Sequence, residues 1–224
     1  MFSQSTGFRF WVQWVLINIS SLAASFALAG LLKDINLENY SYFVTNSPNV
    51  VDCVAGGLLL GVAQWLSLKR LIPNLSYKWI AGSLIALPVS VLLSLTIHKF
   101  LIWFYFFNHP SSIMFSALLL GSAGFVGGIM GGVIAGLVQQ TVLKQHVQPV
   151  SLVVLLLANM IGSAIGWAAS WSTAFYADNI AINFYQIESQ VIELAVLGIV
   201  FGLVNGAIVG GGLVWVLLRP RLFI

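Results

Sequence analysis

Residues 121–144 read GSAGFVGGIMGGVIAGLVQQTVLK. Glycine recurs at every fourth position, Gly124, Gly128, Gly132 and Gly136, and no charge interrupts the run before Lys144. Residues four apart share one face of an α-helix, so the stretch predicts a helix with a smooth glycine stripe. A glycine inside a helix costs ~1 kcal/mol relative to alanine in water. Four on one face are favourable where a neighbouring backbone approaches closely, as between helices in a bilayer. The apolar run holding them, Met114–Leu143, exceeds the ~20 residues that cross a ~30 Å hydrocarbon core.

Two other runs carry the same stripe. Val50–Leu68 contains Cys53, Gly57 and Gly61; Val191–Leu218 contains Gly198, Gly202, Gly206 and Gly210. Superposing Gly57, Gly132 and Gly206 aligns Leu68, Leu143 and Leu217, each just before a basic end. Three more runs of spanning length alternate with these: Phe10–Leu32, Tyr77–Ile97 and Val150–Phe175. They match more weakly, through Asn18-Ser21-Ser25, Ser83-Ala86-Ser90 and Asn159-Gly162-Gly166. Pro88 is expected to kink the third run. The fourth and sixth runs are long enough to tilt or protrude.

The pattern predicts an all-α polytopic membrane bundle: six transmembrane helices, arranged as three hairpins with a pseudo-threefold repeat. The chain, 1–224, reads as one transmembrane domain with repeat units at about 8–70, 77–145 and 150–219. Parallel repeats are related by an axis along the membrane normal. The glycine-striped, even-numbered helices are expected at the centre and the odd-numbered ones outside.

Composition supports a membrane class. Charged residues are 7% of the chain and hydrophobic residues 59%, against ~25% charge in soluble domains. Mean hydropathy is +0.98. Disordered chains are polar and charged, which excludes that class, and runs this long suit helices, not barrel strands. Arg9, an apolar run and Ala27-Leu28-Ala29 imitate a secretory signal, but the run is too long for an h-region. Cys53 is the single cysteine, so no intrachain disulfide forms. Basic residues are too scattered for a nucleic-acid surface.

Charge placement predicts orientation. Of nine basic residues, Arg9, Lys69, Arg70, Lys78, Lys144, Arg219 and Arg221 fall at one end of the spans. Lys33 and Lys99 fall at the other, with all six acids: Asp34, Glu38, Asp52, Asp178, Glu188 and Glu193. The positive-inside rule places both termini in the cytoplasm. The connections at the basic end are also the shorter ones.

Candidate chemistry is sparse. No span carries an acid or base at its predicted midplane, where ion-coupled transporters usually keep one. The glycines Gly57, Gly61, Gly124, Gly128, Gly132, Gly136, Gly198, Gly202, Gly206 and Gly210 are read as helix-packing positions. Mid-span Gly132 and Gly206 are expected to matter more than Gly124. The candidate polar site is Gln64, Gln139, Asn18, Asn159 and Asn205. Gln64 and Gln139 share a repeat position, with Leu213 in the third copy. Interhelical hydrogen bonding is the plainer role, and Gln64→Leu is expected to cost ~1 kcal/mol or less. Asp52 and Glu193 are read as helix N-terminal acids. His98, His109 and His146 match no metal spacing, and His98 is set aside as a haem or chlorophyll ligand. The aromatic segments 101–107 and 182–187 suit the membrane interface. No hydrolase, metalloprotease or phosphate-loop motif occurs, so no catalytic residue, metal or cofactor is expected.

Gly61-Val62-Ala63-Gln64-Trp65-Leu66-Ser67-Leu68-Lys69-Arg70 resembles a segment of small multi-pass membrane proteins of cyanobacteria and some other bacteria, which repeat G-x-x-Q-W-x-x-L-[RK] at helix ends. Gly136–Lys144 is a looser copy with Gln140 in place of Trp. That family carries no assigned activity, so no catalytic role transfers from it; the resemblance implies a bacterial inner or thylakoid membrane. The signatures of mitochondrial carriers and aquaporins are absent. The expected function is a non-catalytic packing or assembly subunit, with the lipid bilayer and a homo-oligomer or larger membrane complex as partners and no nucleic acid. The alternative is a passive channel or carrier for a small neutral solute.

Overall fold

Long apolar runs without internal charge satisfy their backbone polar groups only as helices when lipid surrounds them. The computed structural model describes residues 4–35, 50–106, 113–147, 149–181 and 186–218, and all its regular structure is helical. The helices are α1 (Gln4–Ile35), α2 (Val50–Lys69), α3 (Lys78–Phe106), α4 (Ile113–Leu143), α5 (Pro149–Ala181) and α6 (Gln186–Leu218). Among the described residues, five are long and apolar enough to cross a membrane; α2 is the shorter one, with Asp52 in its first turn and Lys69 in its last. α3 continues through Pro88 and runs to Phe106, so residues 101–106 of the first aromatic segment extend this helix. Most of the second aromatic segment lies outside the described residues, as do Glu38, His109, Arg219 and Arg221. α6 begins at Gln186, two turns before Glu193, so Glu193 is no N-terminal cap.

Surface and interior are polarised in the sense that lipid requires. Leucine, isoleucine, valine and phenylalanine crowd the exposed faces of all six helices, while Asn18, Gln64, Gln139, Asn159 and Asn205 are buried. Four exposed hydroxyls bond back to carbonyls of their own helix: Ser20 to Ile17, Thr96 to Leu92, Ser122 to Leu119 and Thr141 to Val138. Each hydroxyl thereby avoids presenting an unpaired donor to hydrocarbon. The protein is an integral, multi-pass membrane protein.

Each helix packs on its two neighbours in the chain, and α6 closes on α1. The result is a ring of six. The expected core of even-numbered helices does not form, because the glycine stripes turn sideways onto odd-numbered helices. A Cβ on Gly57 of α2 would stand 2.5 Å from the carbonyl oxygen of Ser83 in α3. One on Gly132 of α4 would run into that of Asn159 in α5, and one on Gly202 of α6 would stand 2.7 Å from that of Asn18 in α1. One turn along, Gly61, Gly136 and Gly206 face the Cα atoms of Ile80, Leu156 and Val15 at 3.0, 3.1 and 3.3 Å.

These contacts correct the sequence alignment of the third stripe by one turn. Gly202, not Gly206, stands where Gly57 and Gly132 stand. Leu213 then matches Leu68 and Leu143, and all three are fully buried. Val209, not Leu213, takes the place of Gln64 and Gln139. Gly124 is also as tightly packed as its neighbours, 2.5 Å from Trp171 Cδ1 and 2.8 Å from the Trp167 carbonyl oxygen for an added Cβ. The expected ranking below Gly132 therefore has no geometric basis. α4 carries a second glycine face unread in the sequence: Gly127 and Gly131 receive Ser94 and Ser90 of α3.

Gly132→Ala and Gly202→Ala should each lower the melting temperature in detergent, since overpacking costs ~1–3 kcal/mol. Gly211→Ala should not, because its nearest neighbour is Trp11 Nε1 at 4.0 Å. Equal melting of all three variants would show that the stripes do not hold the ring.

Candidate functional site

Each helix contributes to the interior in layers about one turn apart. One apolar cluster, toward the end bearing Arg9, Lys69 and Lys78, gathers Trp14, Leu68, Trp79, Leu143, Leu155 and Leu213. The other gathers Phe26, Leu60, Leu87, Trp167, Leu197 and Phe201. Helix starts and helix ends alternate within each cluster, which establishes an up-and-down arrangement. Between the clusters lies a belt of neutral polar side chains from all six helices, including Asn18, Gln64, Ser83, Gln139, Asn159 and Asn205. The structure brings every residue of the expected polar site into this belt.

Gln64 is its hub. Gln64 Nε2 donates to Asn18 Oδ1 at 3.0 Å. Its Oε1 accepts from Trp79 Nε1 at 3.3 Å and from Ser83 Oγ at 3.4 Å. One side chain thus ties α2 to both α1 and α3. Asn18 Nδ2 also donates to the Trp14 carbonyl, 2.8 Å away and one turn back. Asn159 repeats that step, with Nδ2 donating to the Leu155 carbonyl at 2.8 Å and to Gln139 Oε1 at 2.9 Å. In α6 the corresponding position is Val209, and the hydrogen bond of this helix runs to its other neighbour: Ser163 Oγ of α5 donates to Asn205 Oδ1 at 3.3 Å.

The rest of the Gly-x-x-Gln-Trp segment serves the turn. Trp65 Nε1 donates to the Leu75 carbonyl at 3.1 Å, and Lys69 Nζ lies 4.4 Å from the centre of the Trp65 ring. Gln140 takes the tryptophan's place in the second copy and its task too, donating Nε2 to the Leu152 carbonyl at 2.7 Å. The turns match as well. The Leu68 carbonyl accepts from the amides of Leu71 and Ile72, and the Leu143 carbonyl from those of His146 and Val147. Sequence reasoning found the Gly and Gln of this motif but missed the shared role of Trp65 and Gln140. The signal was available: both are side chains with an N–H donor at the same position.

Aromatic rings fill the layers on either side. Trp14 and Trp79 meet edge to face at 6.3 Å, and Trp167 lies 4.5 Å from Phe201 and 6.4 Å from Phe26. The belt borders a cavity of about 30 Å³ lined by residues of α2 to α6. No group of three or more His, Cys, Asp or Glu residues lies together among the described residues. No family model, curated protein or solved structure matches the chain.

The expected tolerance of Gln64→Leu rested on an equivalence with Leu213 that the contacts correct. Gln64→Leu should strand Trp79 Nε1 and leave Asn18 Oδ1 without its donor, at ~1–3 kcal/mol for unsatisfied buried groups. Gln139→Leu should cost only ~0.6 kcal/mol, an average interhelical hydrogen bond, because Asn159 keeps its Leu155 acceptor. Thermal melts of the two variants should differ in that order. Equal melts would deny Gln64 its role as hub.

Proposed function

We propose that this chain is a non-catalytic integral membrane protein, a packing or assembly subunit of a homo-oligomer or larger membrane complex. The carrying observation is how the belt spends its polar groups. Asn18, Gln64, Gln139 and Asn159 are engaged in joining helices, and the space left over is about 30 Å³. Small-molecule sites occupy ~300–1,000 Å³. Apolar layers with packed aromatic rings flank the belt on both sides. The alternative, passive passage of a small neutral solute, draws support from the neutral amides of that belt. It requires both aromatic layers to part.

The proposal includes six membrane spans and a pseudo-threefold arrangement of three hairpins. It is supported by the like contacts of α2 on α3, α4 on α5 and α6 on α1. It includes cytoplasmic termini, supported by the basic residues, and a bacterial inner or thylakoid membrane, supported by the Gly61–Arg70 segment. The corresponding kinship with small multi-pass cyanobacterial-type proteins rests on that segment alone.

Purified protein in liposomes should conduct water, urea and glycerol no faster than empty vesicles, and its mass in mild detergent should exceed that of one chain. A monomer with solute flux would replace this reading by the channel. Reporter fusions after His146 and at Ile224 should score cytoplasmic and one at Asn183 external. An external C-terminus would remove the six-span topology.

A further inference from the structure

Hydrogen-bond bookkeeping fixes the orientation of the belt amides and leaves donors unspent. Asn159 Nδ2 donates to the carbonyl of Leu155, an atom that can only accept. The Gln139 atom receiving its other hydrogen is therefore the oxygen. Gln139 Nε2 then holds two hydrogens with no acceptor among the described residues. Asn159 has committed its nitrogen, and its Oδ1 accepts from no donor among the described residues. Both side chains line the same cavity. Trp167 Nε1 has no hydrogen-bond partner among those residues either, but it is fully buried and no water-sized space reaches it. Buried donors are almost always satisfied by protein or by ordered water.

We propose that the cavity is a hydration site, holding one or two water molecules that accept from Gln139 Nε2 and donate to Asn159 Oδ1. Its size decides the number: about 30 Å³ is available, and a water needs ~10–15 Å³. Its chemistry decides the ligand. The lining carries donors and an acceptor, which water satisfies together. An anion could use the donors alone, and no lysine, arginine or histidine lines the cavity to offset its buried charge. Among the described residues Trp14 Nε1 and Trp171 Nε1 also lack a hydrogen-bond partner, and like Trp167 Nε1 they are out of reach of water-sized space. They are built-in controls.

The test is nuclear magnetic resonance on ¹⁵N-labelled protein in lipid nanodiscs, with magnetisation transfer from the water line. The Gln139 side-chain amide protons, identified by their loss in Gln139→Leu, should show cross peaks to water. The Trp14 indole should show none. Ala135→Val places two methyl groups on a lining residue and should reduce both water cross peaks to background while the helical circular dichroism stays unchanged. If that variant does not fold, Ala86→Val serves the same purpose. No water cross peak at Gln139, an equal one at Trp14, or peaks that survive the filled cavity would overturn the site. A chloride-dependent shift of the Gln139 side-chain amide resonance would replace water by an anion. None of these outcomes depends on whether the ring assembles with partners.

Discussion

Helices in hydrocarbon gain little from hiding apolar side chains from one another, because the lipid tails are equally apolar. Close contact between backbones has to supply the cohesion, and this ring depends on it. Gly57, Gly132 and Gly202 bring main chain against the carbonyls of Ser83, Asn159 and Asn18. At that separation dispersion is strong and Cα–H···O contacts become available. The glycine is indispensable at those points, since an added Cβ would stand inside the neighbouring carbonyl's contact radius.

The polar belt follows from the same geometry. Backbones that approach closely leave little room for large side chains, so short polar groups can reach across the seam. Asn18 and Asn159 each anchor an amide hydrogen to a carbonyl of their own helix and also bond across to the next, Asn18 through Oδ1 and Asn159 through Nδ2. This local anchor removes the freedom to flip. The belt is a specificity device as much as a source of stability: a helix slid by one turn would place Gln64 against an apolar layer, unpaired.

Much of the fold is legible in the sequence, for definite reasons. The spans are marked by apolar runs, and the helix directions alternate as the basic ends imply. The polar site is legible because amides are rare in such runs. The phase of the third stripe is not. A ladder of period four superposes on itself when displaced by four residues, so Gly202 and Gly206 are interchangeable to alignment. Only residues off the ladder, Leu213 beside Leu68 and Leu143, fix the phase, and their common burial is a tertiary fact. The partner of each stripe is hidden for a related reason. The odd-numbered helices receive the glycines with ordinary backbone, so nothing in Ser83 or Ile80 announces the contact.

Closure of α6 on α1 also sets an order of assembly. A ribosome releases α1 first and α6 last, so the joint between Gly202 and Asn18 is the final one available. Until then α1 would sit in the bilayer with a buried-type asparagine on its face. The Asn18–Gln64 hydrogen bond resolves that interval, because Gln64 emerges with the next helix. The first hairpin can therefore shelter its own polar group during synthesis, and the last helix arrives at a surface already shaped to receive its glycines.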